Sequence, residues 1–203
     1  MSRESGIGGG IIAMAGKKCV AIASDLRYGW GYQVTTKTFH KIFPINSKCL
    51  FGAQGLYTDI QTVYEKSRFN ANMYRLREGR EINGKQFICS TGHLLYKNRF
   101  ASYSIGSVVC GLDENGDGIC SSYDGIGAYD LCKFACSGRC LDQLMGTVNS
   151  FYKEDMEPEE LVDVITHCMK AASERCPFTG FGIEVYLLTQ DELKHYVFKT
   201  RQD

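Results

Sequence analysis

Two apolar runs near the start of the chain, Gly10 to Ala15 and Cys19 to Ser24, flank the break Ala15-Gly16-Lys17-Lys18. Both runs suit buried strands, and the break puts glycine where a tight turn needs positive φ. The spacing predicts a hairpin within Gly8 to Arg27 that holds the beginning of the chain in a sheet. Its first strand would present a residue at the mouth of that sheet. This matters because some enzymes use an N-terminal residue as their nucleophile.

The rest of the chain alternates in blocks. Tyr28-Gly29-Trp30-Gly31 reads as a turn, Phe39 to Pro44 as a short strand stopped by proline, and Lys48 to Ala53 as an apolar strand. A helix opens at Leu56, with Ile60, Val63, Tyr64, Met73 and Leu76 at helical spacing, and Asn83-Gly84 breaks it. A second helix is expected over Lys85 to Asn98. Tyr103 to Leu112 and Gly118 to Tyr123 read as a hairpin around Asp113 to Asp117, and Leu131 to Cys136 as a further strand. Helices over Leu141 to Phe151 and Glu159 to Arg175 precede strands at Ile183 to Leu188 and His195 to Thr200. Strands and helices in blocks define an α+β layered domain: two packed sheets, each covered on its outer side by a helix pair.

A chain of 203 residues without an internal linker or repeat is expected to be one domain, 1–203, with 1–8 as a short N-terminal extension. Acidic and basic residues balance at 23 each, so no general field favours nucleic acid or an anionic membrane. The apolar stretch Gly6 to Gly16 is too short and glycine-rich to span a bilayer, and its lysines follow it, unlike those of a signal peptide. An intracellular protein is expected. Ten cysteines then read as buried thiols instead of a disulfide framework. Cys132, Cys136 and Cys140 recur every four residues, but no CxxC pair exists, and Cys132, Phe134 and Cys136 alternate as one face of a strand.

Several motifs imitate binding sites. Gly6-Ile7-Gly8-Gly9-Gly10 leads into a strand, not from a strand into a helix, so it is not a dinucleotide loop. Asp113, Asn115, Asp117, Gly118 and Asp124 fall at positions of a calcium loop, but their flanks read as strands and a polar hairpin turn is expected. His40, His93, His167 and His195 do not pair at metal spacing, and Ser137-Gly138 is not a nucleophile elbow. Neither a metal nor a cofactor is expected.

The pattern as a whole resembles the β-subunits of the 20S proteasome. It is carried by Gly8-Gly9, Ala13-Met14, Gly16-Lys17, Cys19 to Ala23, Asp25, Arg27, Lys41-Ile42-Phe43, Gly55-Leu56, Thr58-Asp59 and Gln61-Thr62. Tyr74, Leu76, Glu78, Arg80, Leu95-Tyr96, Arg99-Phe100, Gly111-Leu112, Ser137-Gly138, the Met156 to Leu161 segment and Arg201-Gln202-Asp203 extend it to the end. The resemblance implies a four-layer αββα sandwich of the N-terminal-nucleophile hydrolase type. Catalytic members attack peptide bonds with the hydroxyl of an N-terminal threonine, aided by its α-amine, a lysine, an aspartate and a serine–aspartate pair.

Carried across, Asp25, Arg27, Lys41, Gly55 (an oxyanion-hole glycine) and Ser137 match that site. The nucleophile, sixteen positions before Asp25, falls on Gly9, and the aspartate three before Thr179 falls on Cys176. Glycine has no hydroxyl. Ser2, exposed by loss of Met1, lies seven residues before Gly9, far outside hydrogen-bond reach at ~3.3 Å per extended residue. The resemblance therefore implies a non-catalytic member in which Asp25 and Lys41 persist as a buried ion pair.

The implied role is structural. Partners are other β-subunits in a ring of seven, among them a trypsin-like neighbour and further non-catalytic subunits, together with α-ring subunits and the opposite β-ring. The expected setting is cytoplasm and nucleus, in ubiquitin-dependent proteolysis. Tyr123 to Ala128 would border the neighbour's substrate pocket, with Asp124 placing a carboxylate beside it; Ala128, where the family often has cysteine, would widen the wall. Asp124 reads equally as a turn aspartate. Two rivals stand beside this reading: an active hydrolase with an unforeseen nucleophile, and a free-standing ligand-binding module using calcium through Asp113 to Asp124.

Overall fold

A computed structural model describes residues 8–202. Ser2, Ile7, Asp203 and most of the expected 1–8 extension lie outside the described residues. The elements run β1 (Gly10–Gly16), β2 (Cys19–Asp25), β3 (Tyr28–Trp30), β4 (Gln33–Thr36), β5 (Ile42–Asn46), β6 (Cys49–Gly55), α1 (Tyr57–Glu78) and α2 (Gly84–Lys97). After a 3-10 turn at Arg99–Ala101 come β7 (Ile105–Leu112), β8 (Gly118–Tyr123), β9 (Phe134–Gly138), α3 (Leu141–Phe151), α4 (Pro158–Arg175), β10 (Ile183–Thr189) and β11 (Leu193–Phe198).

The N-terminal hairpin forms as expected, with β1 antiparallel to β2 from Ile11↔Ser24 to Gly16↔Cys19. It is the middle of a sheet ordered β11-β10-β2-β1-β9; a second sheet runs β5-β6-β7-β8. Both faces of the hairpin are buried, which is why its runs are apolar without alternation. Ile12, Met14, Ala21 and Ala23 meet α3 and α4 through Leu144, Leu161, Ile165 and Met169. Ile11, Ala13, Val20 and Ile22 meet Leu50, Val108 and Cys110 of the second sheet. The outer face of that sheet, with Phe51 and Val109, packs against Ile60, Val63, Phe87 and Ile88 of α1 and α2. Three apolar layers between four of secondary structure make the αββα sandwich.

Some local expectations change. The positive φ at the first turn belongs to Lys18 (54°), not to Gly16. Gly16 is needed for close approach, since a Cβ there would lie 2.6 Å from the Met156 carbonyl oxygen. Tyr28–Trp30 is a strand paired with Gln33–Thr36, a small hairpin that mixed polar composition conceals. The first helix ends earlier than Asn83-Gly84, at Gly79 in the left-handed region (φ 69°). Asn83 instead starts α2, its side chain accepting from the Gln86 amide in a capping box. Cys132 lies outside β9 and is exposed, so it does not share a strand face with Phe134 and Cys136. Eight of the ten thiols are buried and all ten are free.

Candidate functional site

Gly9 immediately precedes β1, and the hairpin register brings Asp25, the last residue of β2, beside it. The Asp25 Oδ1 accepts from the Gly10 N–H at 2.8 Å and from the Lys41 ammonium at 2.8 Å. Its Oδ2 accepts from the Arg27 N–H at 3.1 Å and the Gly180 N–H at 3.4 Å. Lys41 also donates to the Asp25 carbonyl at 2.6 Å. The two side chains are 0% and 1% exposed, so the pair is a desolvated one whose acceptor sites are filled by N–H donors.

Gly9 stands directly over this pair. A Cβ built there would lie 2.9 Å from Lys41 Cε, 3.2 Å from Nζ and 3.5 Å from Asp25 Oδ1. Its φ of 130° is a region L side chains rarely adopt, and its carbonyl accepts from the Arg139 N–H at 2.8 Å. The geometry thus gathers a lysine and a carboxylate around a position that carries no side chain.

The other expected positions are spread around this centre. Arg27 is buried and works through its guanidinium, which donates to the carbonyls of Gly31 (2.7 Å) and Phe178 (3.4 Å) and ties two loops together. Ser137 sits on β9 opposite Ile11, its Oγ 2.5 Å from where a Cβ on Gly106 would stand. Gly55 ends β6 at φ 127°, pressed against the Ser104 carbonyl. Cys176 is buried after α4 and acts through its carbonyl, which accepts from the Thr179 hydroxyl at 3.3 Å and Arg201 at 3.3 Å.

Two neighbours were missed by sequence reasoning. Cys140 places its sulfur 2.2 Å from where a Cβ on Gly10 would stand, beside the centre. Burial, then the charge of Asp25, push this thiol well up. Glu184 is fully buried on β10: Oε1 accepts from the Ser24 hydroxyl (3.0 Å) and the Lys41 N–H (3.1 Å), and Oε2 pairs with His40 Nδ1 at 2.7 Å. It fixes the backbone that carries Lys41. A lone glutamate within Ile-Glu-Val-Tyr-Leu-Leu was its only signal in the sequence.

Asp124 and Ala128 lie away from this centre, in the loop after β8. The Asp124 Oδ1 accepts from the Ile126 N–H (3.0 Å) and the Ala128 N–H (2.7 Å), closing the loop on itself. The loop lies flush on α2 because Gly127 (φ 88°) and Gly92 leave no room for a Cβ; at Gly127 it would stand 2.6 Å from the Gly92 carbonyl oxygen. Asp113 is likewise engaged locally, its Oδ1 accepting from the Asn115 and Asp117 amides at 2.8 and 2.9 Å. Its loop joins two strands, and Asp124 belongs to a different loop.

The fold and this centre define a class: an αββα sandwich of the N-terminal-nucleophile type, with its charged pair beneath the start of the first strand. A family model described as proteasome subunit matches residues 7–188, and the chain belongs to that family. It is 39% identical over 197 residues, 97% of either chain, to a protein of Schizosaccharomyces pombe named probable proteasome subunit beta type-3. A proteasome subunit beta type-3 of Oryza sativa subsp. japonica is similar at 39%, again over 97% of each chain. The protein of that name in Saccharomyces cerevisiae is 39% identical over 206 residues, the whole of both chains.

Proposed function

We propose that this chain is a non-catalytic, β3-type structural subunit of the 20S proteasome core, assembled with other proteasome subunits in a β-ring. The observation that carries the reading is Gly9. It occupies the place over Lys41 and Asp25 where a nucleophile would stand, with no side chain and a backbone conformation unfit for threonine. The names of the relatives point the same way. Native mass measurement tests the assembly: the chain travels in a many-subunit particle, and recovery at its own mass refutes the reading. An electrophilic peptide probe applied to that particle leaves this chain unlabelled; labelling refutes the non-catalytic assignment.

The Asp124 loop is the part of this role that touches chemistry elsewhere. With Oδ1 committed to the loop, the carboxylate still confers a negative charge on an exposed face, and a charge there favours basic side chains in an adjoining pocket. Asp124→Ala removes both charge and loop closure, whereas Asp124→Asn keeps an amide oxygen as acceptor. Both substitutions are expected to slow cleavage after Arg or Lys in the assembled particle. If Asp124→Asn leaves that cleavage unchanged while Asp124→Ala slows it, the residue acts only as a turn former.

A further inference from the structure

Three cysteines stand in one row across adjacent segments of backbone. Cys110 on β7 is registered opposite Cys120 on β8, and Cys120 is registered opposite Cys132 on its other side. The Cys120 N–H donates to the Cys132 carbonyl at 3.0 Å, and the Cys132 N–H to the Cys120 carbonyl at 2.9 Å. This reciprocal exchange defines a hydrogen-bonded antiparallel pair, whose Cα atoms lie about 5.5 Å apart, inside the span a disulfide bridges. Directly opposed side chains leave the same face with Cβ atoms ~4.5–5.5 Å apart, so an approach of about 1 Å reaches disulfide geometry.

The two thiols differ in a way that gives each a part. Cys132 is exposed, whereas Cys120 is fully buried between the sheets. Burial first, then the neighbouring Cys110 and Cys132, push the Cys120 thiol well up, and burial, then Asp130, raise Cys132 as well, so both react through a minor thiolate fraction. Cys110 is also fully buried, so a dissolved oxidant meets Cys132 first.

We propose that Cys132 and Cys120 are a peroxide-responsive dithiol that closes to a disulfide across the base of the loop carrying Asp124. The Cys132 sulfur attacks one oxygen of hydrogen peroxide, the O–O bond breaks, and the departing oxygen leaves as water, giving a sulfenic acid. The Cys120 sulfur then displaces the sulfenic hydroxyl, which takes the Cys120 proton and leaves as a second water. Two thiols are oxidised and one peroxide is reduced. The loop between them is already closed by the Tyr123↔Tyr129 bridge and the Asp124 carboxylate, so the new bond adds a covalent tie to a preformed turn. This inference does not depend on the assembly role proposed above.

The test uses the full-length chain as isolated under native conditions, treated with hydrogen peroxide, alkylated and mapped by mass spectrometry. The expected result is a Cys120–Cys132 linked peptide, with two fewer alkylatable thiols than the ten of the reduced chain. Dithiothreitol reverses it, Cys132→Ser abolishes it, and amides of the intervening loop exchange hydrogen more slowly once it has formed. Recovery of Cys132 as a sulfinic acid without a link, a Cys110–Cys120 link with Cys132 still alkylatable, or a Cys132 that peroxide leaves untouched would each overturn the proposal.

Discussion

The Asp25–Lys41 pair shows what a single residue does to this molecule. Lys41 is among the largest fully buried side chains, and its charge is tolerated only because Asp25 lies 2.8 Å away and is itself saturated with N–H donors. Lys41→Met leaves a buried carboxylate without its counter-charge and is expected to destabilise the fold by about 3–5 kcal/mol. Replacing both partners with apolar residues should cost less than replacing one. Denaturant midpoints of the single and double variants check this, and a double variant as damaged as the single would contradict it. Gly9→Thr is the complementary experiment. The added Cβ lands 2.9 Å from Lys41 Cε on a backbone at φ 130°, so a loss of about 1–3 kcal/mol is expected and no peptidase activity is gained. A fluorogenic peptide assay and a thermal melt read the two halves of that expectation separately.

Among the elements, the ends of helices and the seats of loops decide most of the local energetics. The capping box of α2 satisfies two otherwise unpaired backbone donors through Asn83 and Gln86, and the Asn83 amide also reaches Glu114 at 3.1 Å. Asn83→Ala is expected to lower stability by about 1 kcal/mol, read from urea unfolding. If the change is negligible, the cap is not what fixes this helix start. The same element illustrates how far the chain could be read directly. Asn83-Gly84 was legible as punctuation, but whether it ends one helix or starts the next depends on Gly79, whose left-handed conformation has no signature stronger than glycine itself. The hairpin of β3 and β4 was not legible, because strands of three and four residues are too short to show an alternation that distinguishes them from a turn. The seating of the Asp124 loop was also invisible: Gly92 and Gly127 are far apart in sequence, and only their contact reveals why neither carries a side chain.

For the whole molecule, burial of so many thiols sets a pH limit. Burial raises the Cys19 thiol to about 11 and the Cys136 thiol to about 12, from an ordinary 9.0. It pushes Cys49, Cys110, Cys120 and Cys140 up as well. These groups ionise first in the unfolded chain, so above the ordinary value the folded state binds more protons. The stability they contribute is complete below pH 9 and is lost as pH rises through each folded value, at roughly 1.4 kcal/mol per pH unit for each thiol. Urea midpoints under reducing conditions should hold steady through neutrality and fall steeply above that point. A flat alkaline limb would mean the thiols are already ionisable in the fold.

The sequence by itself determined the layered α+β plan, the family and the lack of a side chain at Gly9. Apolar runs without alternation announce strands covered on both faces, and an ordered set of short motifs is a property of the chain alone. It also brought Gly9, Asp25 and Lys41 into one constellation, through a resemblance and not through any local pattern. Only the tertiary structure decided what surrounds that constellation. Glu184 holds the Lys41 backbone, Gly180 completes the Asp25 shell, and Cys140 fills the space beside Gly10. Each comes from a segment more than 100 residues away from the hairpin. Contacts of that kind follow from how sheets and helices stack, since hydrophobic burial fixes which faces meet without any single residue recording it.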